Sequence, residues 1–131
     1  MKFKITGKFQ VKLTPQEVSF KHNSTLNAGR LNIDKTFEGA LSGVSHGEML
    51  SILAGDKKAG GYVAMEVFEG TLEGRAGSFA LQHYGKYDSN GQSLVLELVP
   101  GSGDGQLVGI SGKMHIRIEE KQHFYDFEGE I

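Results

Sequence analysis

"GYVAMEVFEGTL" (residues 61–72) runs directly into "EGRAGSFALQHYG" (residues 73–85), and the reading of this pair decides the fold. In the first segment Tyr62, Ala64, Glu66, Phe68 and Leu72 share one face, while Val63, Met65 and Val67 share the other. In the second, Phe79, Leu81 and His83 alternate with Ser78, Ala80, Gln82 and Tyr84. Period-two alternation of this kind is the signature of a β-strand. A short "EGRAG" connector joins the two as an antiparallel hairpin. Both strands point apolar side chains one way, yet each interrupts that face with an ionisable group, Glu66 in one and His83 in the other. Glu66 and His83 lie about eight residues either side of a centre near residues 74 and 75, so a simple hairpin makes them near-opposed.

The same alternation recurs along most of the chain. Phe3, Ile5, Phe9, Val11 and Leu13 alternate with lysines, Thr6 and Gln10. "GRLNIDKTF", "EGALSGVSHGEMLSIL", "SLVLELV", "QLVGISGKMHIRIEE" and "HFYDFEGEI" read as further strands. Pro15 to about Ala28 reads as irregular. "AGDKKAGG", "DSNGQ", "PGSGDGQ" and "EEKQH" are turn-rich connectors, with Asn90-Gly91 a strong hairpin signal. About eight strands joined by short hairpins, with no long helix, make an antiparallel meander. A meander of this length removes its exposed edges by closing on itself. The expectation is an all-β, closed antiparallel barrel forming a single domain over residues 1–131.

Composition agrees. Glycine supplies 19 of 131 residues, about twice its usual share of roughly 7%, dispersed as turn and bulge residues are. There is no cysteine, which excludes disulfides, thiolate metal sites and cysteine nucleophiles. The net charge of −2 has no basic stripe with aromatic stacking groups, so no nucleic-acid partner is expected. Lys2, Lys4, Lys8 and Lys12 fall on one face of the first strand, where they guard a solvated surface. Neither a signal-peptide pattern nor a long apolar run is present, so the expected location is cytoplasmic, with no membrane partner.

The stretches "GRLNIDKTFEGALSGVSHGEML", "GYVAMEVFEGTLEGRAGSFALQHYG" and "LVPGSGDGQLVGISGKMHIRIEEKQHFYDFEGEI" resemble a bacterial family of small single-domain proteins of unknown function. That family resembles in fold the allene oxide cyclase-like, or dirigent-like, β-barrels. The resemblance implies a barrel of about eight strands with a cavity along its axis. It brings no catalytic residue with it, and the plant cyclase's cysteine has no counterpart here.

The chemistry must therefore come from polar residues on buried faces. A buried carboxylate costs several kcal/mol without a partner, so Glu66 is paired, hydrated or protonated, or is not buried. An inward His83 would relieve it, and the carboxylate would in turn fix the imidazole tautomer. "SHGEMLSIL" puts His46, Glu48, Leu50 and Ile52 on one face, with His46 and Glu48 about 7 Å apart along the backbone. That spacing suits a metal but is also ordinary for a strand end, and no metal or cofactor is assigned. Tyr62 and Tyr125 could add phenols to a cavity. "PGSGDGQLVG" lacks the following helix and the Lys-Ser/Thr ending of a phosphate loop and reads as a glycine-rich hairpin.

The candidate pocket is thus Glu48, Tyr62, Glu66, Phe79, His83 and Tyr125. The leading expectation is a barrel that binds a small, mostly apolar molecule, with acid–base chemistry of an isomerase or cyclase kind open to Glu66 and His83. The alternative is a non-catalytic structural or interaction barrel acting as an oligomer. In either case the apolar outer face of Val63, Met65 and Val67 calls for a cover, and a homodimer is the favoured one.

Overall fold

The structure, a computed structural model, describes all residues from Met1 to Ile131. It contains nine strands: β1 (Lys2–Gln16), β2 (Asn27–Gly39), β3 (Leu41–Leu53), β4 (Gly60–Leu72), β5 (Arg75–Asp88), β6 (Gly91–Leu98), β7 (Asp104–Gly105), β8 (Ser111–Glu119) and β9 (Gln122–Glu130). No helix is present, and so none long and apolar enough to cross a membrane. Every pairing is antiparallel. β1 closes the ring by pairing with β2 through its second half and with β9 through its first. β4 pairs with β5, and β6 meets β8 at Glu97 and Lys113. The eight long strands form a closed barrel, while the two-residue β7 pairs only with the start of β5.

The hairpins explain their own sequences. Glu73 and Gly74 have φ of 47° and 82°, and Glu120 and Lys121 have 50° and 67°. These left-handed pairs match the twist of the strands they join. The Asn90-Gly91 hairpin forms, but its centre lies one residue earlier than the dipeptide suggests. Asp88 faces Gly91, and the Asp88 carboxylate accepts the Asn90 N–H at 2.8 Å, which makes Ser89 and Asn90 the central residues.

Two other expectations change. β1 continues through Pro15 to Gln16 and β2 begins at Asn27, so the irregular stretch is shorter than residues 15–28. The glycine-rich segment after β6 is not a simple hairpin. It crosses one end of the barrel and inserts Leu107 and Ile110, both buried, into the core. Their apolar side chains find cover there, and the segment stoppers the barrel.

That end is solid. Phe3 meets Phe127 edge-on at 4.9 Å, Phe68 stacks on Phe79 at 4.8 Å, and Phe37 packs edge-on against Tyr125 at 5.7 Å. Leu41, Leu72, Leu81, Leu98 and Met114 fill the spaces between. The lysines of β1 at positions 2, 4, 8 and 12 are exposed. Val63, Met65 and Val67 point outward, each about half exposed at 53%, 55% and 50%. No part of the same chain covers them.

Candidate functional site

Above the aromatic core the barrel interior becomes polar. The Glu66 side chain is fully buried and accepts three hydrogen bonds. Ser45 Oγ donates to Oε1 at 2.9 Å. Lys35 Nζ donates to Oε2 at 2.9 Å, and His83 Nε2 approaches the same oxygen at 2.7 Å. The four residues come from β2, β3, β4 and β5, and strand register brings them together. Lys35 lies opposite Ser45, and Gly47 lies opposite Glu66. A side chain at Gly47 would collide with the Glu66 Cβ and the Met65 carbonyl, so only glycine leaves the carboxylate its space.

Burial alone would push the Glu66 carboxyl up. The His83 hydrogen bond and the Lys35 charge overcome it and hold the group at about 2, so it is ionised at neutral pH. An ionised carboxylate only accepts, so the His83 Nε2 carries the proton. In the neutral imidazole this leaves the Nδ1 lone pair free. No buried side-chain nitrogen or oxygen lacks a partner, and Nδ1 has no protein partner, so it is not sealed in the core. Lys35 spends one of its three protons on Glu66, and its ammonium lies 5.1 Å from the centre of the Phe9 ring.

Lys35 and His83 floor a cavity of about 580 Å³ at the end of the barrel opposite the stopper. Ten of its sixteen lining residues are apolar, which makes the walls a hydrophobic sleeve. Phe9, Ile33, Met49, Leu94 and Ile116 belong to the walls, and His123 and Tyr87 are also among the lining groups. The Tyr62 ring lies against Gly85 of β5, where any larger residue would displace it. Burial raises the Tyr62 phenol, which therefore stays neutral. A larger hollow of about 670 Å³ at the β6–β8 seam has one apolar residue and is otherwise lined by lysines, glutamates, glycines and a serine. It offers no sheltered chemistry.

Of the residues singled out from the sequence, His83 and Tyr62 line this cavity, and Glu66 lies buried behind its floor, bonded to His83. Glu48, Phe79 and Tyr125 do not. Glu48 is on the outer surface and pairs with Arg30 at 3.1 Å. Leu50 and Ile52 make its face look inward, but the inward face of β3 carries Gly43, Ser45, Gly47 and Met49, and the backbone approach at Gly43 and Gly47 leaves no room for a side chain. His46 shares the outer face and bonds Asp34 at 2.6 Å. Phe79 is buried in the solid half, stacked on Phe68 and tilted against Phe127. Tyr125 is also buried there, and its hydroxyl accepts the Leu41 N–H at 3.1 Å and donates to the Glu38 carbonyl at 3.0 Å. No group of three or more His, Asp or Glu side chains is arranged to hold a metal ion.

Lys35 and Ser45 are site residues that the sequence reading does not single out. Lys35 carries the same signal as Glu66, an ionisable residue between Ile33 and Phe37 on an apolar face. Ser45, between two glycines at alternate positions, carries almost none.

The fold and site define a class: an eight-stranded antiparallel barrel, stoppered at one end and open at the other to a cavity with an ionic floor. Residues 5–128 match the family model described as a protein of unknown function (DUF3224), and the chain belongs to that family. A crystal structure of a DUF3224-family protein of unknown function from Shewanella oneidensis MR-1 is similar throughout. It has a TM-score of 0.94 and 47% identity, covering 100% of this chain and 98% of that one. No curated protein matches the chain.

Proposed function

We propose that the barrel is a binding protein for a small, mostly apolar molecule held in the open-end cavity. The observation that carries this reading is the apolar sleeve of about 580 Å³ above the floor of Lys35 and His83, a volume within the usual range of ligand sites. A purely structural core would be expected to fill this space, as the aromatic residues fill the other half. The floor also has the composition for proton transfer of an isomerase or cyclase kind. His83 Nδ1 is the base, Glu66 fixes its tautomer, and Lys35 stabilises negative charge.

The test uses the neutral dye N-phenyl-1-naphthylamine. Its fluorescence should rise and saturate at one dye per chain, and Leu94→Trp, which fills the cavity, should abolish the rise. No enhancement, or enhancement indifferent to Leu94→Trp, overturns the reading.

A second, compatible reading is association through the outer face. Val63, Met65 and Val67 form an uncovered apolar row on β4, beside Leu50 on β3 and Tyr84 on β5. A self-complementary pairing of such rows across a two-fold axis makes a homodimer.

A further inference from the structure

The charges around the cavity are one-sided. Its lining includes Lys35, Lys86, His83 and His123, and no aspartate or glutamate. The one carboxylate nearby, Glu66, is fully buried behind the floor with both oxygens occupied. A molecule in the cavity therefore meets the donor side of the ionic cluster. Lys35 has two N–H groups without a protein acceptor, on a side chain that is 5% exposed. The His83 ring lies beside it, because His83 Nε2 and Lys35 Nζ bond the same Glu66 oxygen. Unspent donors of an ammonium in a sheltered, low-dielectric place are strong sites for an anionic acceptor.

Building on the cavity reading above, we propose that the ligand is an apolar-bodied monocarboxylate, its carboxylate docked on Lys35 Nζ beside the His83 ring and its body in the sleeve of Phe9, Ile33, Met49, Leu94 and Ile116. The single sheltered ammonium fixes one charged head, and the apolar walls exclude a second. Glu66 acts here as a positioning residue. It holds Lys35 and His83 at the floor through the hydrogen bonds that Lys35 Nζ and His83 Nε2 make to one of its oxygens.

Three probes with one body and different heads test this: 4-butylbenzoate, 4-butylbenzyl alcohol and 4-butylbenzylamine, each displacing N-phenyl-1-naphthylamine at pH 7. The carboxylate should displace the dye at a concentration about tenfold or more below the other two, as a charge-assisted contact requires. In Lys35→Met with Glu66→Gln, which removes the ammonium without leaving a lone buried carboxylate, the dye should still bind and the carboxylate preference should vanish. An alcohol or amine that displaces the dye as well as the carboxylate overturns the proposal and leaves the cavity reading standing. So does a preference that survives in the double variant. Failure of the dye to bind the unmodified protein overturns the cavity reading and this proposal with it. The ranking in the unmodified protein decides the matter even where the double variant does not fold.

Discussion

Glu66 and His83 hydrogen-bond at 2.7 Å without facing one another: Glu66 lies opposite Leu81, and His83 lies opposite Ala64. They are diagonal neighbours on one face of the sheet. Long side chains reach across such a diagonal, where the separation is about 7–8 Å. The diagonal leaves the Glu66 carboxylate room for a second approach, and Lys35 takes it from two strands away. The result is one carboxylate oxygen shared by an imidazole and an ammonium.

This sharing predicts an order of mutational costs. Lys35→Met removes the ammonium countercharge of a buried carboxylate and should cost about 3–5 kcal/mol. His83→Leu removes one hydrogen bond to a group that keeps Lys35 and Ser45, so it should cost less, about 1–3 kcal/mol. Urea denaturation of both variants measures the order. A reversed order, or costs within about 0.5 kcal/mol of zero for both, would show that the cluster does not hold Glu66 as described.

Acid should loosen the fold through the same carboxylate. Its folded value of about 2 lies below the ordinary 4.5. The sign follows from the depression: Glu66 contributes its full stabilisation above 4.5, and loses it as the pH falls toward 2. A shift of this size corresponds to about 3 kcal/mol. Denaturation midpoints from pH 6 to pH 2.5 should fall, and Glu66→Gln should flatten much of that fall. An acid limb of the same steepness in Glu66→Gln would place the titration elsewhere.

The barrel is legible in the sequence because strand alternation is local. Every residue from Tyr62 to Leu72 announces its face by its neighbours, and closure follows from the lack of any other way to hide edges. The pairing of Glu66 with His83 is legible for the same reason, but its register is not. The dipeptide Glu73-Gly74 turns in two residues, with Leu72 opposite Arg75, which sets Glu66 one diagonal from His83 with no bulge. The face of β3 misleads because hydrophobicity there reports the outer surface. Leu50 and Ile52 are about half exposed, while the interior side is chosen by size, at Gly43, Ser45 and Gly47. Which inward aromatic lines the cavity and which fills the core is also hidden, since Phe9 and Phe79 alternate alike along their strands. Their depth along the barrel axis depends on strand tilt and stagger, which no single segment encodes.

The outward row of Val63, Met65 and Val67 predicts a homodimer. Sedimentation velocity at micromolar concentration should give a species of twice the chain mass. Met65→Glu, at the centre of the row, should halve it by placing like charges across the two-fold contact. Because Met65 faces away from the cavity, dye binding should survive in that variant. A monomer at every concentration up to about 100 μM, a range in which an interface of standard size would associate, would remove the oligomer reading.

Tyr125 separates the barrel's stability from its site. Its hydroxyl joins the Leu41 N–H to the Glu38 carbonyl at the turn between β2 and β3, within the solid half. Tyr125→Phe keeps the ring and its edge-on contact with Phe37 but leaves the buried Leu41 N–H without that acceptor. An orphaned buried donor costs about 1–3 kcal/mol, so the urea midpoint should fall accordingly. Dye binding at the opposite end should be unchanged within about twofold, because Tyr125 is not among the cavity residues. A variant with full stability would mean that water satisfies the Leu41 N–H and that this end is not sealed. A variant with normal stability but lost dye binding would mean that the cavity reaches Tyr125, and that the division into a solid half and an open half is wrong.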